Sequence, residues 1–142
     1  MNDAHLIQES FELIQEFPHA VAMLFYGRLF EVDPSVRPMF KSDIRTQGKK
    51  LMDTLAAVCA AADRLEELRP QLRALGKQHA GFGVQPKHYE TVRHALLWAF
   101  AHALESNFDS ETKAAWDRFL RTASEEMIAG TTEPAQPELA NP

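Results

Sequence analysis

The sequence predicts an all-α protein. Its apolar residues recur at spacings of three and four along almost the whole chain, and prolines and glycines fall at the joints between those runs. No alternating apolar–polar stretch bounded by turn residues signals a strand. At 142 residues the chain fits one domain that buries about two-thirds of its unfolded surface, so it needs no disulfide or metal staple. No internal repeat or second domain is visible.

Asn2 or Asp3 can cap a first helix that carries Leu6, Ile7, Phe11 and Ile14 at helical spacing. Pro18 starts a second helix running to about Val32, and its centre, AVAMLFYGRLF, is apolar on most sides, the pattern of a helix enclosed by neighbours. Asp33 and Pro34 supply a cap and a first-turn proline for a very short helix that Pro38 is expected to stop, with Met39 and Phe40 following. After a loop, a longer helix from about Thr46 presents Gln47, Leu51, Leu55 and Val58 on one face and loses its pattern in the charged run Asp63 to Arg69. Pro70 opens the next helix where a missing N–H costs nothing, and Gly81 and Gly83 close it. Its roughly three turns put Leu72, Leu75, Gly76 and His79 on one face. Pro86 opens a further helix with Val92, Leu96, Ala99, Phe100 and Ala103 inward. A last helix, after a turn at Asn107 to Ser110, presents Trp116, Phe119, Leu120, Ala123 and Met127. The folded domain is therefore expected over 1–130, followed by a polar, proline-rich, disordered tail over 131–142.

Composition excludes several functions. A formal net charge of −5 with scattered basic residues repels a phosphate backbone, so no nucleic-acid partner is expected. The apolar runs fall far short of the ~20 residues a membrane span requires, so no membrane insertion is expected. The start MNDAHLIQES lacks the cationic and apolar blocks of an export signal, which points to the cytoplasm. Cys59, the single cysteine, lies in LAAVCAAA and reads as a buried, unreactive thiol. His5, His19, His88, His94 and His102 form no i,i+4 pair and are expected on solvated faces or at helix ends. No phosphate loop, nucleophile elbow or Cys–His pairing supports classical hydrolase chemistry.

Three polar side chains interrupt apolar faces: Tyr26 in the most enclosed helix, Gln47 heading the Leu51 and Leu55 face, and His79 ending the Leu72 and Leu75 face. Each is costly if buried without a partner. A local carbonyl, or water in a first helical turn, satisfies any one of them singly. Their order and spacing together make them a candidate site.

The motifs LFYGRLFEVDPSVRPMF, QGKKLMDTLAAV and LGKQHAGFGVQPKHYETV, spread over about Leu6 to Met127, resemble the globin family. The likeness is to single-domain bacterial globins similar to the haem domain of flavohaemoglobins. It implies the globin fold, a three-over-three helical sandwich around a haem pocket, and haem b (iron protoporphyrin IX) as cofactor. By position, His79 resembles the proximal iron ligand and Phe40 the phenylalanine packed on the porphyrin. Tyr26, Gln47 and Leu51 resemble the distal residues over the sixth iron position, and Gly48 the small residue at a close helix crossing. The resemblance implies a cofactor lined by Phe40, Gln47, Leu51, His79, Val84 and Tyr89.

Tyr89 follows His79 by ten residues, as does a tyrosine that joins a glutamate against the proximal imidazole in flavohaemoglobins. Glu125, Glu126 and Glu133 are candidates for that glutamate, and none sits at the family spacing. The alternative for Tyr89 is an aromatic packed at the corner beside Phe82. Two departures, a short loop between Phe40 and Gln47 and His94 where a glycine is common, are expected to alter access to the haem edge. The implied function is reversible dioxygen binding at ferrous iron, with Tyr26 and Gln47 holding the gas. Nitric oxide dioxygenation with a separate reductase is one use of it. Oxygen storage, delivery or sensing by a monomer or weak homodimer is another, and a cofactor-free helical interaction domain is the third alternative.

Overall fold

The computed structural model describes residues 2–132, and all of its regular elements within that range are helical. Helix α1 (Asp3–Ile14) starts at Asn2, whose side chain accepts the His5 N–H at 2.8 Å. Helix α2 (Pro18–Val32) begins on its proline, and a 3₁₀ helix (Pro34–Met39) follows with Asp33 as cap. Helix α3 (Ile44–Ala60) leads through a 3₁₀ segment (Ala62–Leu68) into α4 (Arg69–Gly81). Helix α5 (Pro86–Leu104), a short 3₁₀ turn (Glu105–Asn107) and α6 (Ser110–Thr132) complete the chain.

Several boundaries depart from the sequence reading. Helix α3 starts at Ile44 rather than Thr46, because Asp43 caps it by accepting both the N–H and the hydroxyl of Thr46 at 3.0 Å. Pro38 lies inside the 3₁₀ helix instead of stopping it, and the chain turns out only after Phe40 N–H donates to the Arg37 carbonyl. The charged run is 3₁₀ helix broken at Arg64, whose φ of −145° lies outside helical space. Ala103 is exposed and Leu104 takes the inward place, since α5 ends there and Glu105 enters the left-handed region at φ 49°. Helix α6 continues to Thr132, two residues past the expected end of the folded domain. The rest of the expected tail lies outside the described residues.

Helix α2 packs on α3 and α5, while α6 crosses α1, α4 and α5. The core centres on Trp116, fully buried among the rings of Phe11, Phe100 and Phe119. Its indole N–H donates to the Ser10 hydroxyl at 2.8 Å, and that hydroxyl donates to the Leu6 carbonyl at 2.7 Å. A buried polar pair is thus satisfied inside an apolar core. Cys59 is buried as expected, and burial pushes its thiol up to about 12.

Candidate functional site

The first group of site residues forms where α2 crosses α3. Gly48 is buried there against Ala22, and a Cβ on it would lie 3.0 Å from the Ala22 methyl. Ala22 and Tyr26 share one face of α2, so this close crossing brings Tyr26 to the first turn of α3. The Tyr26 hydroxyl donates to the main-chain carbonyl of Gln47 at 3.1 Å. Burial pushes its phenol up to about 12, so it stays a protonated donor. Phe40 meets the Tyr26 ring edge-on at 5.4 Å, and Phe30 stacks on Tyr26 at 5.8 Å and meets Phe40 at 5.6 Å. Phe30, absent from the expected set, completes this aromatic wall. Its signal was the four-residue spacing from Tyr26. The Gln47 side-chain amide makes no hydrogen bond among the described residues, and half-buried Leu51 packs against the core one turn on.

The second group forms where α4 meets α5. His79 is half-buried in the last turn of α4, and desolvation holds its imidazole below the ordinary histidine range. It is therefore neutral near pH 7, the form that binds a metal. The chain then folds back tightly: Phe82 and Val84 N–H donate to the His79 carbonyl at 2.9 and 3.1 Å, and Gly83 takes φ +94°, a conformation open to glycine. Half-buried Val84 and Tyr89 are thereby set beside the histidine. The Tyr89 hydroxyl lies 3.4 Å from His79 Nδ1, a long contact, and burial raises the phenol.

No glutamate joins that pair among the described residues. Glu126 is held by Arg69 and Arg73 at 3.0 and 3.1 Å, Glu125 is exposed, and Glu133 lies outside the described residues. Phe82 is half exposed at the corner and stands in no ring contact with Tyr89. His88 is at a helix end as expected but buried, where its Nδ1 accepts the Gln85 N–H at 2.8 Å in a reciprocal cap. The three-residue spacing from Gln85 to His88 was its signal. His94 does not face these residues: it pairs with Glu90 at 3.9 Å and lines a groove of about 630 Å³ with Arg28, Lys87 and Trp98.

No hydrogen bond or ring contact joins the Tyr26 group to the His79 group among the described residues. Helix α3 rests on α2 and α1 and helix α4 on α6, with no extensive contact between α3 and α4. Nor do the described residues form a cluster of three or more histidines, cysteines and carboxylates able to hold a bare ion. A metal on His79 must bring its other ligands with it, as iron in a macrocycle does. The free Nε2, the phenylalanine wall and the apolar residues at 51 and 84 fit such a group. No helix of the described residues is long and apolar enough to cross a membrane.

Known proteins share the fold of this chain. A family model described as Globin matches residues 23–127. An uncharacterized globin-like protein of Aquifex aeolicus is 30% identical over 112 residues, spanning 79% of each chain. A flavohemoprotein of Vibrio cholerae is 25% identical over 115 residues, 79% of this chain but 29% of the relative, so this chain spans under a third of that protein's length. Among solved structures, an engineered carbene transferase from Rhodothermus marinus superimposes with a TM-score of 0.81 at 24% identity, over 91% of this chain and 90% of that one. The shared fold is the expected three-over-three helical sandwich. With the family model covering most of its helical body, this chain belongs to the globin family, whose members bind haem and, through it, small gases.

Proposed function

We propose that this protein binds haem b with His79 Nε2 on the iron, and that Tyr26 and Gln47 hold dioxygen on the opposite face. When bound, the haem iron supplies a reversible gas-binding position and draws negative charge onto the gas. The observation that supports this reading is the 3.1 Å hydrogen bond from the buried Tyr26 phenol to the Gln47 main-chain carbonyl, which brings these two positions together.

The chain's own residues act on that charge. Tyr26 O–H, kept protonated by burial, donates more strongly to a charged oxygen than to the carbonyl it now meets. In a dry pocket that bond is worth more than in water. The Gln47 amide adds a second donor. Leu51 and Val84 exclude water, and Phe40 offers a ring to pack on a flat macrocycle. With the proton of His79 on Nδ1 and directed at the Tyr89 oxygen, Nε2 presents its lone pair and gains basicity.

The activity proposed is nitric oxide dioxygenation. Nitric oxide and dioxygen combine to nitrate with uptake of one electron, so repeated turnover draws on a separate reductase in the cytoplasm. The flavohemoprotein relative, which by its name carries a flavin beside its haem, supports this reading. Reversible oxygen storage, delivery or sensing needs no electron donor. Reconstitution with hemin should give a strong Soret band that His79→Ala loses. A colourless protein overturns the haem assignment. With a flavin reductase and oxygen present, nitric oxide should disappear over many turnovers, and a single stoichiometric round would leave storage or sensing.

A further inference from the structure

Helix α4 touches α6 backbone to backbone. Gly76, one turn before His79, is buried at that crossing, and a Cβ on it would land on the Met127 carbonyl. Reciprocally, a Cβ on Gly130 would land on the Arg73 carbonyl. The contact is thus symmetric: each glycine faces the backbone three residues before its opposite number. A side chain can swing aside from an added methyl, but a backbone carbonyl inside a helix cannot. Either methyl therefore requires the whole helix to move. Arg69 and Arg73 bridge the same crossing to Glu126, which fixes the rotation of α4 on α6. Among the described residues, the polar contact made by the His79 ring is the long one to Tyr89.

We propose that the Gly76–Gly130 crossing is the positioning device for the proximal histidine. It sets the distance and tilt at which His79 Nε2 meets the iron, and with them the strength of the iron–imidazole bond. The proposal rests on His79 as the iron ligand. It makes Gly76 and Gly130, 54 residues apart in sequence, a single unit acting through α4.

Resonance Raman spectra of the ferrous, gas-free protein test it. Gly76→Ala and Gly130→Ala should each shift the iron–imidazole stretch and change the carbon monoxide association rate severalfold. Gly81→Ala is the control: it lies on the same helix two residues past His79, its Cβ meets nothing within 4 Å, and both readouts should stay at wild type. Gly130→Ala tests the same crossing from the α6 side, so the proposal stays testable if Gly76→Ala does not fold. A wild-type stretch and rate in either folded variant overturns the proposal, as does an equal shift in Gly81→Ala. A wild-type protein that takes up haem but shows no iron–imidazole stretch removes His79 as ligand instead, which is a separate failure.

Discussion

Tyr26 O–H donates to the Gln47 main-chain carbonyl rather than to the Gln47 side chain. In the proposed function, a gas on the iron competes with that carbonyl for one proton, while the Gln47 amide makes no hydrogen bond among the described residues. Tyr26→Phe removes the contested donor. The oxygen dissociation rate should rise about tenfold, the scale of a ~1.4 kcal/mol hydrogen bond. Stopped-flow displacement of oxygen checks this, and an unchanged rate would remove Tyr26 as a donor to the gas.

The same crossing limits what position 48 accepts. At 3.0 Å from the Ala22 methyl, an alanine at Gly48 already presses on α2, and a branched side chain forces α2 and α3 apart. Gly48→Val should cost about 1–3 kcal/mol, the range for overpacking. It should also lengthen the Tyr26–Gln47 contact. Thermal melts report the first effect and oxygen dissociation the second.

The start of α5 depends on an uncommon cap. His88 accepts the Gln85 N–H while Gln85 caps the first turn, and His88 is 5% exposed. His88→Ala should cost about 1 kcal/mol. Because Tyr89 is the next residue, the loss should also loosen the phenol beside His79. Hydrogen exchange of the first-turn amides of α5 is the direct measurement.

Asp117 joins two arginines, Arg93 at 3.1 Å and Arg121 at 2.8 Å, and Arg93 is buried. The Arg121 hydrogen bond, with the charge of both arginines, holds the Asp117 carboxyl below its ordinary range. A carboxyl depressed on folding contributes stability that is complete above its unfolded value near 4 and is lost as pH falls through the folded value. Wild-type melting temperature should therefore drop below about pH 4. Asp117→Asn should cost about 2 kcal/mol at neutral pH, less than breaking a fully buried pair, and should flatten that acid-side slope. Melts across pH 3 to 7 separate the two.

Much of this architecture was legible because local chemistry punctuates it. Asn2, Pro18, Asp33–Pro34 and Pro86 mark helix starts through caps and first-turn prolines, and Gly83 marks the turn after His79. What stayed hidden depends on partners distant in sequence. Gly130 reads locally as a helix end, yet it lies inside α6, where its missing Cβ leaves room for the Arg73 backbone. Ala103 fits the inward period of α5 but loses its place to Leu104 where the helix stops. The glutamate sought for Tyr89 had no local signature, and Glu126 is occupied by the arginines of α4. Where α2 crosses α3, periodicity singled out Tyr26 and Gln47 as polar interruptions but gave no sign that the phenol meets the glutamine's backbone.

The bond from the Trp116 indole to the Ser10 hydroxyl spans 106 residues. A ribosome extending the chain at ~5–20 residues per second releases Ser10 roughly 5–20 seconds ahead of its partner. Throughout that interval the side of α1 that packs on α6 lacks its mate. Nascent chains stalled before residue 116 should thus be strong clients for chaperones that shield exposed apolar helices, and release from them should coincide with synthesis of the final helix.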